Sequence, residues 1–462
     1  MNKTLFILLG AAGDLARKKL FPALYHLVST GQIPQLHILG AAFENVTAAH
    51  ILQTSRPFMH NVDELIYDEF VTRFSYYPLA DGPESLKKIA AIAQELADRF
   101  GLVNRVVYCA TPARTFGDLT QQLVNQKIIW RENSGTKQWC RVIFEKPFGE
   151  DLKSAHELNS HLAQLLSEQQ IYRVDHYLGK DIIGTISLLR FTNRIFEPLW
   201  NADHVAWVEI VLSETVGAGH RTAYYDAYGA LKDMVQNHML QILALIAMEM
   251  PRKLEGADIQ NQKAAVLSQV TCVDGILGQY EGYLNTAGIK ENSITPTFAA
   301  LKLMIDTKRW QGVPFYLKTG KTLNKHETKI ILHFKKVDCL LSRQCPSPSD
   351  TLIIQIYPEP GFGLMVNVKK PGLDLEVEPV FMDFCYEQHF GAHALSGYEA
   401  VLLEVLRGDR SISVRFDEIE YAWAIVDSII NASFPVYSYK QGSNGPQELE
   451  DFAQRNTMRW HV

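Results

Sequence analysis

Short apolar runs of four to six residues at 4–9, 36–41, 105–110, 141–144 and 171–174 punctuate the first 180 residues. Each is shorter than an ordinary helix and is bounded by polar or turn-forming residues, as expected of strands buried on both faces of a sheet. Between them, 14–29 and 85–100 carry apolar side chains at helical spacing, so strand and helix alternate. That rhythm winds a parallel sheet, because a strand–helix–strand crossover packs back onto its sheet right-handedly. From about residue 200 the pattern changes. The segments 205–212, 329–334, 352–357 and 363–368 alternate apolar and polar positions with few helices between them, which predicts a large, mainly antiparallel sheet. Helical stretches at 225–250, 398–407 and 417–430 are expected to cover one face of it, with Pro251 ending the first.

Length and charge narrow the reading. A chain of 462 residues exceeds one ordinary core, so two domains are expected, at 1–180 and 181–462. The net charge is only −6 and the Lys and Arg residues are scattered, so no nucleic acid or membrane partner is expected; the partner is a small molecule. The apolar run at 4–9 is too short for a signal segment or a membrane span, which gives a cytoplasmic location as the expectation. Cys109, Cys140, Cys272, Cys339, Cys345 and Cys385 lie far apart without a C-x-x-C pair. They read as mostly buried thiols rather than a disulfide framework or a metal site, and no metal is expected.

The candidate chemistry clusters at the predicted strand ends. Gly10-Ala-Ala-Gly13-Asp14-Leu15 follows a strand and opens a helix, the place where backbone N–H groups and the helix dipole hold a pyrophosphate. Its spacing departs from G-x-G-x-x-G, and taken alone it also fits a plain strand-to-helix turn. Ala110-Thr111-Pro112 and Glu145-Lys146-Pro147-Phe148-Gly149 end two later strands of the same sheet, where such folds bind ligands. With three such turns the first domain reads as an α/β Rossmann-like dinucleotide-binding domain, followed by an α+β domain for substrate binding and dimerisation. Lys146, beside a proline that stiffens the backbone, is placed to reach cofactor and substrate, or to sit solvated at the surface. Asp175-His176-Tyr177-Leu178-Gly179-Lys180 gathers an acid, an imidazole, a phenol and an ammonium at a strand end, a set suited to an anion. His238 lies in the helical stretch from Asp233; it is either a general base for hydride chemistry or a satisfied histidine on a half-buried helix.

These motifs resemble one family, glucose 6-phosphate dehydrogenase, the first enzyme of the oxidative pentose phosphate route. The resemblance rests on the Gly10–Lys19 turn, Phe144-Glu-Lys-Pro-Phe-Gly149, Arg173-Val-Asp-His-Tyr-Leu-Gly-Lys180 and Asp233-Met-Val-Gln-Asn-His-Met-Leu-Gln241. It continues through Thr295-Pro-Thr-Phe-Ala-Ala-Leu-Lys302, Gly312–Lys321 and Leu406-Arg-Gly-Asp409, and so spans nearly the whole chain. It implies oxidation of C1 of glucose 6-phosphate to the 6-phospho-lactone, with hydride passing to a nicotinamide. His238 is then the base and Asp175 its orienting carboxylate. His176, Tyr177 and Lys321 form the phosphate set, and Lys180, Lys146, Glu214 and Asp233 contact the sugar hydroxyls. Gly10, Gly13, Asp14 and Leu15 match the cofactor turn, with Thr111, Pro112 and Lys146 beside the nicotinamide. The family also implies a homodimer or homotetramer.

The sequence departs from that pattern in three places. His326 stands where a substrate-side arginine or lysine is usual, and Tyr357 where a glutamine is; an imidazole changes charge within the physiological range, so substrate affinity is expected to depend on pH. The arginine that pairs with the 2′-phosphate of NADP is missing from Gly40-Ala-Ala-Phe43-Glu44-Asn45. NADP is the family default, but Glu44 suits a free ribose 2′-OH, so NAD is expected to compete well, with Arg17, Lys18 or Lys19 the remaining sources of positive charge. Two rival readings stand beside this one: a sugar oxidoreductase of the glucose–fructose oxidoreductase type, and a catalytically weak relative that serves as a regulatory or assembly subunit.

Overall fold

The computed structural model describes residues 3–33, 36–79, 83–132, 138–219, 222–337, 349–373, 376–391 and 396–461. It divides into two compact units: Met1–Gly179 with Arg252–Gln260 and Leu395–Glu420, and Lys180–Pro251 with Asn261–Ala394 and Tyr421–Val462. Two late segments thus join the first unit, beyond the single boundary at 180 that the sequence pattern suggests. Cys339 and Cys345 lie outside the described residues. Of the other four cysteines, Cys109 and Cys140 are buried and Cys272 and Cys385 half-buried, all as free thiols. No helix among the described residues is long and apolar enough to cross a membrane.

The first unit is built on β1 (Thr4–Leu9), β2 (Leu36–Ala42), β3 (Phe74–Pro78), β4 (Asn104–Cys109), β5 (Cys140–Glu145) and β6 (Ile171–Val174). They are parallel throughout and lie in the order β3-β2-β1-β4-β5-β6. This is the doubly wound order with a switch point between β1 and β4. β1 and β4 are buried at every residue, which is why they read so clearly as apolar runs. β3 escapes that reading because it is an edge strand with only Phe74 fully buried.

One core cluster joins β1, β2 and β4 to the first helix and to helix Gly397–Arg407, which contributes Val401, Leu402, Leu403 and Val405. The sequence pattern placed that helix over the antiparallel sheet; it packs in the first unit instead. A capping box of Ser396 and Glu399 starts it, and Gly408 in the left-handed region ends it. Arg141 of β5 donates to the terminal carbonyls of Val405 and Leu406, which accounts for the Leu406-Arg-Gly-Asp409 motif.

The second unit carries β7 (Val205–Ser213), β8 (Val270–Tyr280), β9 (Phe298–Ile305), β10 (Phe315–Gly320), β11 (Glu327–Phe334), β12 (Thr351–Tyr357), β13 (Gly361–Lys369), β14 (Val377–Cys385) and β15 (Val436–Tyr439). Their order is β14-β13-β12-β11-β7-β10-β9-β8-β15. Only β7–β10 and β15–β8 are parallel pairs, so the sheet is mixed and mainly antiparallel, as expected. An aromatic cluster of Tyr225, Tyr280, Tyr283, Phe298, Tyr316, Tyr439 and Phe452 packs in this unit.

The single helix expected at 225–250 is three pieces: helix Thr222–Ala230, a π-helix over Leu231–Met239 and helix Leu240–Ala247. The break is at Gly229, whose φ of 59° suits glycine. A Cβ there would also lie 2.8 Å from Thr295 Cγ2 and 2.9 Å from the Pro296 carbonyl, so the Thr295-Pro-Thr stretch seats this turn. The last piece ends at Ala247, before Pro251, because Met248 is already extended.

Candidate active site

Every candidate residue of the first unit stands just beyond the carboxyl end of a strand of one parallel sheet. The Gly10 turn follows β1, Phe43 and Glu44 follow β2, Thr111 and Pro112 follow β4, Lys146 follows β5, and Asp175, His176 and Tyr177 follow β6. In sheets of this kind ligands lie across those ends, at the switch point, which here falls between β1 and β4. Leu9 is in register with Ala41 on one side and Cys109 on the other. The Gly10 N–H donates to the Ala41 carbonyl at 2.7 Å. Gly10 has φ 88°, and a Cβ on it would lie 2.4 Å from the Ala110 carbonyl oxygen. A side chain is excluded by both conformation and space, so only glycine fits this turn at the head of the helix that begins at Asp14. The first-turn N–H groups of such a helix have no intrahelical acceptor and favour an anion. The turn therefore fits a dinucleotide's pyrophosphate. The helix continues as a π-turn over Ala16–Leu20.

Just after that turn Arg17 and Lys18 are already paired. Asp14 accepts from Arg17 at 2.5 Å and Lys18 at 2.9 Å, and the Lys18 hydrogen bond holds its carboxyl below the usual range. Phe43 is 74 % exposed, and Glu44 beside it is exposed as well. The Glu44 carbonyl accepts from Tyr76 of β3 at 2.6 Å, which fixes the chain at the end of β2.

Lys146 follows Glu145 and is joined to Pro147 by a cis peptide. The Glu145 carboxylate accepts a short hydrogen bond from the fully buried Tyr108 hydroxyl. Desolvation pushes the Glu145 pKa up to about 7, partly offset by the Tyr108 hydrogen bond and by Lys146. The residue keeps some surface exposed, yet its carboxyl is enclosed. Nothing in the sequence flagged this pair beyond a tyrosine inside the apolar run of β4. Asp175 is 2 % exposed, and its Oδ1 accepts the Tyr177 N–H at 3.0 Å, closing a tight turn after β6.

In the second unit the candidates gather at one end of the large sheet. β7 and β10 are parallel with Gly320 opposite Ser213, so Glu214 and Lys321 leave the sheet side by side and form an ion pair. β11 runs antiparallel with Glu327 opposite Ser213, which brings His326 to the same end. Its ring stands 4.3 Å from that of Tyr357 at the end of β12, so two of the departures from the family pattern pack on each other. The Lys321 ammonium also lies 4.9 Å from the Tyr225 ring. The Tyr225 hydroxyl is pushed well above its ordinary pKa by burial and then by Asp233, Tyr439 and Glu214.

His238 is 1 % exposed within the π-helix that also holds Asp233. They are five positions apart, and i→i+5 winding turns both towards one side, where an α-helix would splay them apart. Lys180 stands at the position just before helix Asp181–Thr192, with extended backbone.

A doubly wound sheet with a glycine turn at its switch point, in a chain whose second unit presents a buried histidine and a carboxylate–ammonium pair, defines a dinucleotide-dependent oxidoreductase. Comparison with known proteins makes this specific. Residues 7–184 match the family model "Glucose-6-phosphate dehydrogenase, NAD binding domain" and residues 187–461 match "Glucose-6-phosphate dehydrogenase, C-terminal domain". The glucose-6-phosphate 1-dehydrogenase of Bacillus subtilis (strain 168) is 33 % identical, covering 99 % of this chain and 98 % of its own. The cytoplasmic isoform from Solanum tuberosum is 36 % identical, covering 97 % of this chain and 90 % of its own. A solved glucose-6-phosphate dehydrogenase in complex with its substrate glucose-6-phosphate superposes with a TM-score of 0.91 at 31 % identity, covering 100 % of this chain and 99 % of that one. The chain belongs to the glucose-6-phosphate dehydrogenase family.

Proposed function

We propose that the protein oxidises C1 of glucose 6-phosphate to the 6-phosphoglucono-lactone, the first step of the oxidative pentose phosphate route. The observation that carries this is the buried His238, set in a π-turn with Asp233 on the same side, in a chain matched along its whole length to one family of dehydrogenases. His238 takes the C1 hydroxyl proton as the C1–H bonding pair leaves as hydride, and the C1–O bond becomes the lactone carbonyl. A bound nicotinamide dinucleotide supplies the hydride acceptor. Asp175 is the carboxylate that supports the imidazole in its protonated form. Lys321, His176 and Tyr177 hold the 6-phosphate, with His326 as a further contact. Glu214, Asp233, Lys146 and Lys180 hold the sugar hydroxyls. Gly10, Gly13, Asp14 and Leu15 hold the pyrophosphate, and Thr111, Pro112 and Lys146 flank the nicotinamide.

The cofactor end carries the finer part of the proposal. NAD competes well with NADP, because Phe43 and Glu44 offer no cation to a 2′-phosphate and Arg17 and Lys18 are engaged by Asp14. Glu44 accepts from a free ribose 2′-OH. Measuring kcat/KM for both cofactors with glucose 6-phosphate tests this. A preference for NADP of about a hundredfold, worth roughly 2.7 kcal/mol, excludes it.

The working form is proposed to be a homodimer or homotetramer in the cytoplasm. The cytoplasmic isoforms among the relatives support the location. The edge strand β14, with Val380, Phe381 and Met382 exposed, supports association through this sheet. Sedimentation of the purified protein that gives only the monomer mass removes that part.

A further inference from the structure

We propose that Tyr398 is a positioning residue that fixes the imidazole of His176 for the substrate phosphate; this rests on the reading of His176 as a phosphate contact. After β6 the chain turns tightly, with the Leu178 N–H donating to the Asp175 carbonyl at 3.0 Å and the Tyr177 N–H to Asp175 Oδ1 at 3.0 Å. That turn lies backbone to backbone on the start of helix Gly397–Arg407. A Cβ on Gly179 would stand 2.3 Å from the Gly397 carbonyl oxygen, and one on Gly397 would stand 2.3 Å from the His176 carbonyl oxygen. Neither glycine is in the left-handed region, so both positions need glycine for space rather than for conformation.

One residue beyond this contact the Tyr398 ring lies parallel to the His176 imidazole, with centroids 5.6 Å apart and planes 6° apart. Tyr177 approaches the imidazole at 5.2 Å and 59°. The helix that carries Tyr398 is itself fixed, by its capping box and by Val401, Leu402, Leu403 and Val405 in the core. The orientation of a half-buried histidine in a loop is thereby taken from the core of its unit. Without the ring, the imidazole must be ordered by each incoming phosphate, a cost that weakens binding by about three- to tenfold. Chemistry at C1 does not use this contact, so the loss falls on KM and leaves kcat nearly unchanged.

The test uses the full chain and three substitutions: Tyr398→Leu, Tyr398→Phe and His176→Ala. Steady-state kinetics with glucose 6-phosphate is measured beside the histidine ¹⁵N–¹H spectrum, in which the His176 signal is the one lost in His176→Ala. Tyr398→Leu is expected to shift and broaden the His176 signal and to raise KM about three- to tenfold with kcat retained, and Tyr398→Phe is expected to restore both. If Tyr398→Leu does not fold, Tyr398→Met, a flexible side chain of similar length, takes its place with the same expectation. An unchanged KM and His176 signal in the ring-less variant, while His176→Ala raises KM, overturns the proposal. An unchanged KM in His176→Ala instead overturns the phosphate reading of His176, and the signal alone then shows whether Tyr398 fixes the ring: a shift supports it and constancy overturns it.

Discussion

Lys321 and Glu214 form an ion pair because the two parallel strands they follow end level with each other, with Gly320 opposite Ser213. The pair holds the ammonium at the sheet end beside Tyr225. Replacing Lys321 by Ala removes a charge-assisted contact worth roughly 1.5–3 kcal/mol. KM for glucose 6-phosphate is therefore expected to rise by about ten- to a hundredfold, with a smaller change in kcat. Steady-state kinetics of Lys321→Ala checks this, and an unchanged KM removes Lys321 from the phosphate set.

Glu145 gives the fold a pH dependence of known sign. Its pKa is raised from the ordinary 4.5 to about 7, chiefly by burial, so between those values the folded protein binds more protons than the unfolded chain. The contribution of this group is fully present below pH ~4.5 and is lost as pH rises through ~7. Glu145→Gln, which cannot ionise, is expected to flatten the fall in melting temperature across that window. Tyr108→Phe removes the hydrogen bond that favours the carboxylate and is expected to move the fall to higher pH. Thermal melts of the three proteins from pH 5 to 8, a range around that pKa, check it; parallel curves for wild type and Glu145→Gln contradict it.

Glu209 is fully buried in the large sheet and accepts from His333 Nε2 at 2.7 Å, Trp207 Nε1 at 3.3 Å and the His461 N–H at 3.1 Å. It also faces Lys318, whose ammonium is pushed down by burial and pulled back up by Glu209. Glu209→Ala leaves the buried donors of His333, Trp207 and His461 without their acceptor and removes a carboxylate that offsets the burial of Lys318, and a loss of about 3–5 kcal/mol is expected. Urea unfolding of the variant measures it, and a loss under about 1 kcal/mol, the size of an exposed pair, contradicts it.

How much of this was legible in the sequence depends on what each residue has to pack against. β1, β4 and β6 announce themselves because every position is buried and most of their side chains are apolar. β3 is half-covered and β14 is exposed along most of its length, so neither carries a continuous apolar signal, and β10 hides because it buries Lys318 and Thr319. The strand-end motifs at Gly10, Thr111, Lys146 and Asp175 could be read because a parallel sheet fixes where its ligands lie.

What could not be read is what only tertiary packing creates. Tyr398 meets His176 across more than 200 residues of chain, and Tyr108 meets Glu145 through strand pairing. The π-winding that carries Asp233 and His238 follows a break at Gly229, a glycine seated against Pro296. The helix at Gly397–Arg407 reads from its periodicity only as amphipathic, and contact alone places its apolar face in the first unit.

The most direct test is reduction of NAD and of NADP by glucose 6-phosphate, with plain glucose alongside, for the wild type and His238→Asn. The wild type is expected to reduce a nicotinamide cofactor with glucose 6-phosphate and far more slowly with glucose. His238→Asn is expected to lose about 10²–10⁴-fold in kcat while KM stays within a few-fold. Absence of reduction with the sugar phosphate, or a His238→Asn enzyme that keeps kcat within about tenfold of the wild type, contradicts the account.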